Sequence, residues 1–162
     1  MKLKYISWLP AVIIMGIIFM YSSKPAVNSD ESSMFYANQI LDVYEKITGN
    51  EIEGAEREKN LEDINHIVRK SAHFIEYGVL ACFVAFHFFV SKRKRIHILL
   101  LATAISAIYA ATDEFHQLFV SGRSGQMKDV LLDSSGAFTG ALTFCLIITV
   151  LQRKKQTKIR QQ

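Results

Sequence analysis

Apolar residues in this chain are concentrated in four long runs, separated by polar segments of unequal length. The runs lie at about 5–22, 72–90, 96–116 and 130–151, and each is close to the roughly 20 residues that a helix needs to cross about 30 Å of hydrocarbon. A soluble chain of 162 residues would have almost nothing left to cover four such helices in water. The pattern predicts an all-α, polytopic membrane protein, with one domain over residues 1–162 built as a four-transmembrane-helix bundle.

Basic residues are distributed unevenly over the segments that connect these runs. Of the 19 Lys and Arg, eleven lie before the first run, between the second and third, or after the fourth, and these segments contain no acid. Because cytoplasmic loops of membrane proteins carry an excess of Lys and Arg, we predict a multi-pass protein of the cell membrane with both termini in the cytoplasm. The bilayer is then its first partner. No nucleic-acid partner is indicated, since a short cationic flank after a span is ordinary.

Residues 24–70 form the one long connection, and they are acidic, with ten Asp or Glu against six Lys or Arg. Apolar residues recur there at spacings of three and four, which predicts an amphipathic helix on the outer membrane surface that stops at Gly49. These residues are Met34, Ala37, Leu41, Tyr44 and Ile47. We predict a mobile loop over residues 50–60 and a second short helix that starts at Asn60 and runs into the second span.

Several ionisable residues of the spans lie at one predicted depth. At about 1.5 Å per residue from the cytoplasmic end of each helix, Glu76 lies about 22 Å up, Asp113 about 26 Å, and His73 and Asp133 about 27 Å. Charged groups in a span are costly unless they face the bundle interior and find partners there. The three helices are therefore expected to build a shared polar cluster at the outer edge of the hydrocarbon.

Helical spacing places the polar residues of each span on one face. The connection over residues 119–126 contains glycines, which permit a tight return of the chain that brings Arg123 over the cluster. We therefore predict an outward-facing binding site. Its predicted ligand-binding residues are Arg69, Lys70, His73, Glu76, Tyr77, Asp113, Glu114, His116, Gln117, Arg123, Lys128, Asp129 and Asp133.

Six short motifs run from the first span to the last. They are FMYSS at 19–23, RKSAHFIEYG at 69–78, TDEFHQ at 112–117, GRSG at 122–125, KDVLLD at 128–133, and the glycine pair Gly136 and Gly140. In order and spacing they resemble the VanZ-like membrane proteins, although Ser121 stands where Pro is frequent and Asp133 where Asn is also common. The resemblance implies a small polytopic protein whose namesake is associated with low-level resistance to teicoplanin, a glycopeptide antibiotic, or more broadly a role in cell-envelope homeostasis.

Three roles for the cluster remain open. It could bind a phospholipid head group, a lipid-linked cell-wall precursor or the glycopeptide antibiotic, since it offers both signs of charge. It could instead be a membrane-embedded enzyme acting on a phosphorylated or lipid-linked envelope substrate. The catalytic candidates are then His73, Glu76, Asp113, Glu114 and His116, which could hold a divalent metal or act as a general base. No cofactor motif such as HExxH is present. The third alternative is an ion-pair network with a purely structural role.

Overall fold

The chain is almost entirely helical. The computed structural model describes residues 2–160, none of which lies in a β-strand. In chain order the helices are α1 (Lys2–Ile6), α2 (Leu9–Ser22), α3 (Ala26–Thr48), α4 (Gly54–Val90), α5 (Arg95–Gln117) and α6 (Met127–Arg160). This confirms the predicted all-α class.

Four helical segments are long and apolar enough to cross a membrane: Lys4–Ser22, Gly54–Val90, Arg95–Gln117 and Met127–Thr157. Each contains one of the four predicted spans, so the multi-pass membrane architecture is confirmed. Two of the helices, α4 and α6, extend well beyond the spans predicted at 72–90 and 130–151. At about 1.5 Å per residue, the 37 residues of α4 extend far beyond the hydrocarbon, and its first part therefore projects from the bundle.

The projecting part of α4 pairs with α3 to form a helical hairpin, residues 26–71. Arg57 donates to Asp42 at 2.8 Å and to Glu45 at 2.6 Å, and nearer the bundle Arg69 contacts Asp30 at 3.0 Å. The earlier residue of α4, Arg57, pairs with the end of α3, and the later one, Arg69, pairs with its beginning. The helix α3 therefore lies antiparallel to the projecting part of α4. We call the side of the bundle from which the hairpin projects the hairpin end.

The hairpin corrects two expectations about the long connection. The predicted helix and its stop are confirmed, since α3 ends at Gly49, whose φ of 70° is left-handed. However, only part of the predicted stripe is buried: Ala37 and Leu41 are, whereas Ile47 is exposed. The predicted mobile loop at 50–60 is helical from Gly54 onward, so α4 begins six residues before the predicted start. Its pairing with α3 through Arg57 stabilises this extra turn and a half.

Glycines set the close packing of α4 on α6. A Cβ at Gly136 would overlap the carbonyl oxygen of Phe74, and one at Gly140 would overlap that of Gly78. Small residues allow this approach of two helix backbones in membranes, and here it occurs within one chain. Because the contact is with backbone, it fixes the register of the two helices. The residue before Phe74, His73, is thereby brought level with the turn of α6 that precedes Gly136.

Candidate functional site

The hairpin end of the bundle contains a cavity of about 840 Å³, lined by residues of α2 to α6 and of the connection that precedes α6. Most of the predicted site residues line it: Arg69, Lys70, His73, Glu76, Asp113, Gln117, Arg123, Lys128 and Asp129. The other four predicted residues, Tyr77, Glu114, His116 and Asp133, are not part of its wall. The cavity also has polar residues that were not predicted, from the start of α3: Asn28, Ser29, Ser32 and Ser33. The polar stretch at 28–33 was the available signal for them.

Asp113 is held by hydrogen bonds on both carboxylate oxygens. It lies on the last turn of α5 and is buried. Ser22 of α2 donates to its Oδ1 at 2.6 Å, and Gln117 donates to its Oδ2 at 3.2 Å. A serine at a helix end can also cap that helix, so the sequence by itself leaves two roles open for Ser22. Ser22 and Ser23 both bond back to the Phe19 carbonyl, but of the two only Ser22 lines the cavity and reaches Asp113.

His73, Glu114 and Asp133 converge from three different helices, beside the cavity. One ligand-capable atom of each lies within 4.8 Å of the others, and His73 Nδ1 is 3.7 Å from Asp133 Oδ2. That distance is too long for a hydrogen bond. Glu114 is fixed through its other oxygen, since the Gln126 backbone N–H donates to its Oε2 at 3.0 Å.

The tight return before α6 makes the Gln126 contact possible. A Cβ at Gly125 would overlap the Glu114 carbonyl oxygen and crowd Leu118, so only glycine lets the connection approach the end of α5 this closely. Gly122 makes the preceding bend with a φ of 74°. Glycine adopts such a left-handed conformation without steric cost. The predicted role of these glycines in a tight return is therefore confirmed.

The two basic residues at the start of the RKSAHFIEYG motif have different partners. Lys70 donates to Asp129 of α6, and both side chains are partly shielded from solvent. Arg69 is directed at the hairpin, where it contacts Asp30. Lys128 is exposed and lines the cavity. The Lys70–Asp129 pair thus closes one side of the cavity, whereas Arg69 joins the cavity wall to α3.

Arg123 binds the link between α2 and α3. Its Nε donates to the Lys24 carbonyl at 3.0 Å, and one terminal nitrogen donates to the Tyr21 carbonyl at 3.2 Å and to the Ser29 hydroxyl. It forms no ion pair with any carboxylate of residues 2–160. Burial lowers the pKa of its guanidinium. The cavity wall therefore contains a half-buried cation that makes no direct ion pair with a carboxylate of residues 2–160, although Asp113, Glu114 and Glu76 act on it at longer range.

The two remaining aromatic members of the predicted set lie apart from these contacts. His116 is turned toward α2, where its ring centroid is 4.7 Å from that of Phe19. Tyr77 is fully buried in the bundle, and its hydroxyl has no hydrogen-bond partner within the described chain. The structure therefore gathers most of the predicted residues in one region but separates His116 from the group formed by His73.

Comparison with known proteins gives one match. The family model described as VanZ/LLP1 matches residues 7–148, a range that reaches from the first span into the fourth and includes every residue of the site. No curated protein and no solved structure matches the chain.

Proposed function

The chain belongs to the VanZ/LLP1 family, and on that premise we propose that it binds an anionic, phosphate-bearing head group of a cell-envelope lipid in the cavity at the hairpin end. The ligand is either a phospholipid or a lipid-linked cell-wall precursor, which share this chemistry. The positive-inside pattern supports a hairpin end that faces the outside of the cell, where both ligands and glycopeptide antibiotics are accessible. Binding there is the basis we propose for a role in envelope homeostasis and teicoplanin resistance.

The lack of a direct anionic partner for Arg123 within residues 2–160 is the observation that carries this proposal. A partly buried cation is costly without an anionic partner, and a guanidinium presents a planar fork that matches phosphate oxygens. Its present acceptors are two backbone carbonyls and a hydroxyl, which are neutral. An anionic head group in the cavity would supply a direct anionic partner.

The cavity wall supports the same ligand class. It combines five Lys or Arg side chains with three carboxylates and a row of hydroxyl and amide groups from α3. Ile18, Tyr21 and Leu132 add apolar surface, which suits the start of an acyl chain. A volume of about 840 Å³ is within the range of about 300–1,000 Å³ that small-molecule sites occupy.

The purely structural alternative accounts less well for the hydrogen bonding. A network that served stability alone would satisfy its buried acceptors, as native proteins generally do. Asp113 is satisfied in this way, but both Asp133 oxygens and Glu114 Oε1 are buried without a partner in the described residues. This contrast supports a site that is completed by something other than the chain.

Binding can be tested with purified full-length protein in detergent. Three probes are titrated separately: a short-chain phosphatidylglycerol, a lipid-linked pyrophosphate precursor and teicoplanin. For the true ligand we expect Arg123→Ala to weaken binding by about 10–100-fold, since a hydrogen bond to a charged group contributes roughly 1.5–3 kcal/mol. Arg123→Lys should fall between, because lysine keeps the charge and loses the fork.

Arg153→Ala is the matched control, because Arg153 lies on the exposed last part of α6 far along the chain from the cavity. It should bind every probe as the unaltered protein does. Equal affinity of the unaltered protein and Arg123→Ala for all three probes would refute the proposal. If teicoplanin is the one probe that binds, the ligand of the cavity is the antibiotic and the lipid proposal is wrong.

A further inference from the structure

We propose that His73, Glu114 and Asp133 bind a divalent metal ion of the zinc type beside the cavity. One ligand comes from each of α4, α5 and α6, so the ion would connect the three helices that pack against one another. The inference stands on the geometry of these three side chains and does not depend on the ligand proposed for the cavity.

The spacing of the ligand atoms suits a shared ion better than direct contact. His73 Nδ1 and Asp133 Oδ2 are 3.7 Å apart, which is beyond hydrogen-bond reach. Two ligands that each lie about 2.1 Å from a tetrahedral zinc ion are about 3.4 Å from one another. A ligand atom of Glu114 lies within 4.8 Å of the other two. The His73–Asp133 separation is within about 0.3 Å of that spacing, and the Glu114 ligand atom has to approach by no more than about 1.4 Å.

Burial provides a second and independent argument. Asp133 is 0% exposed and Glu114 is 4% exposed, yet both oxygens of Asp133 and one of Glu114 receive no hydrogen bond from residues 2–160. Buried carboxylates are normally paired or coordinate a metal. No Lys or Arg of the described residues pairs with these two carboxylates, since Lys70 pairs with Asp129 and Arg123 donates to the link between α2 and α3. A divalent ion would neutralise the two carboxylates together.

The surroundings hold the three ligands in place, as metal sites require. The Gln126 N–H bonds Glu114 Oε2 and leaves Oε1 free to coordinate. The backbone contact between Gly136 and Phe74 fixes Asp133 and His73, their near neighbours in sequence, in register. The site thus uses rigid helices and a fixed loop amide, and no part of it lies on a chain terminus.

The ligand types select the class of ion. One imidazole nitrogen with two carboxylate oxygens suits zinc or a similar transition ion, whereas calcium takes six to eight oxygen ligands. Three protein ligands also leave a coordination position for water or a phosphate oxygen. Hydrolytic zinc sites also have such an open position. A zinc ion here would therefore be compatible with the enzymatic role that the sequence left open.

The test uses full-length protein purified in detergent, stripped with a chelator and reconstituted with zinc. Metal content is measured by mass spectrometry, and cobalt substitution reports the ligand field through its visible absorption. We expect about one zinc per chain. Asp133→Asn and Glu114→Gln, which change charge and little volume, should each weaken zinc binding by more than about 100-fold and abolish the cobalt spectrum.

Glu62→Gln is the control, since Glu62 is an exposed carboxylate of α4 that lies outside the cavity wall. It should retain zinc and the cobalt spectrum. If Asp133→Asn does not fold, Glu114→Gln and His73→Gln provide the same comparison on α5 and α4. Failure of the unaltered protein to hold zinc after reconstitution would overturn the proposal, as would equal zinc content in the ligand variants. Neither result would affect lipid binding through Arg123, so the two proposals fail separately.

Discussion

Replacing Gly136 by alanine should force α4 and α6 apart and disturb the polar cluster that they share. The new Cβ would overlap the carbonyl oxygen, carbonyl carbon and Cα of Phe74. All three are backbone atoms, so no change of side-chain rotamer can relieve the overlap. The helices must separate by about 1 Å before the Cβ reaches van der Waals distance.

The expected cost follows from the packing that this separation removes. A gap of about 0.5–1 Å forfeits a quarter to a half of each affected contact, and one atom pair contributes about 0.1–0.2 kcal/mol. For roughly 50 pairs, the number that a buried leucine makes, the loss is about 2–3 kcal/mol. Replacing a glycine inside a helix by alanine by itself stabilises the folded state by about 0.5–1 kcal/mol, which offsets part of this loss. Gly136→Ala should therefore destabilise the protein by about 1–2 kcal/mol.

Gly16→Ala is the matched control, because Gly16 lies in α2 and a Cβ there would meet nothing within 4 Å. It should be neutral or slightly stabilising. Thermal unfolding in detergent measures both variants, and for a chain of this size the difference should be about 5–10 °C. Equal melting temperatures for the two variants would refute the argument that backbone contact at Gly136 sets the helix spacing.

Three further predictions test other parts of the structure. Ser22→Ala should destabilise the protein by about 1–3 kcal/mol, because it leaves a buried oxygen of Asp113 without a hydrogen-bond donor. Ser23→Ala should change the melting temperature little, and equal effects of the two substitutions would contradict the assignment of Ser22 to the site. Arg57→Ala should lower the melting temperature only slightly, since its ion pairs are partly exposed, and should leave probe binding unchanged, which calorimetry and titration would check. A cysteine replacing Asn50, with the native cysteines changed to serine, should react with a membrane-impermeant maleimide on intact cells, and protection from the reagent would reverse the predicted orientation.

The spans and the shared polar layer could be predicted because both depend on regular features of the chain. Hydropathy locates a helix that must cross hydrocarbon, and a constant rise per residue converts sequence position into depth. Those two quantities were enough to bring His73 to the level of Asp133 although they lie 60 residues apart. The resemblance to the VanZ-like proteins, confirmed over residues 7–148, pointed to the same positions.

The hairpin and the pairing within the cluster were not predictable in this way. The start of α4 at Gly54 depends on ion pairs such as Arg57 with Asp42, which exist only after α3 has folded back. The choice of Ser22 as a donor to Asp113 depends on how far α2 reaches beside α5. The predicted depth in the membrane is similar for His116 and for residues one helical turn away. It could not show that the His116 ring faces Phe19. Each of these outcomes depends on helix rotation and register, which hydropathy does not encode.

The cluster divides into two parts that are expected to respond differently to mutation. Asp113 has a donor on each oxygen, from α2 and from its own helix, so its carboxylate is already used in joining the spans. Asp133 and Glu114 are equally buried but retain free oxygens, so their charge is available to a ligand. Loss of the first should lower stability together with function, whereas loss of the second should lower binding while the fold persists. Measuring abundance and binding for the same set of variants therefore separates the structural part of this site from the part that acts.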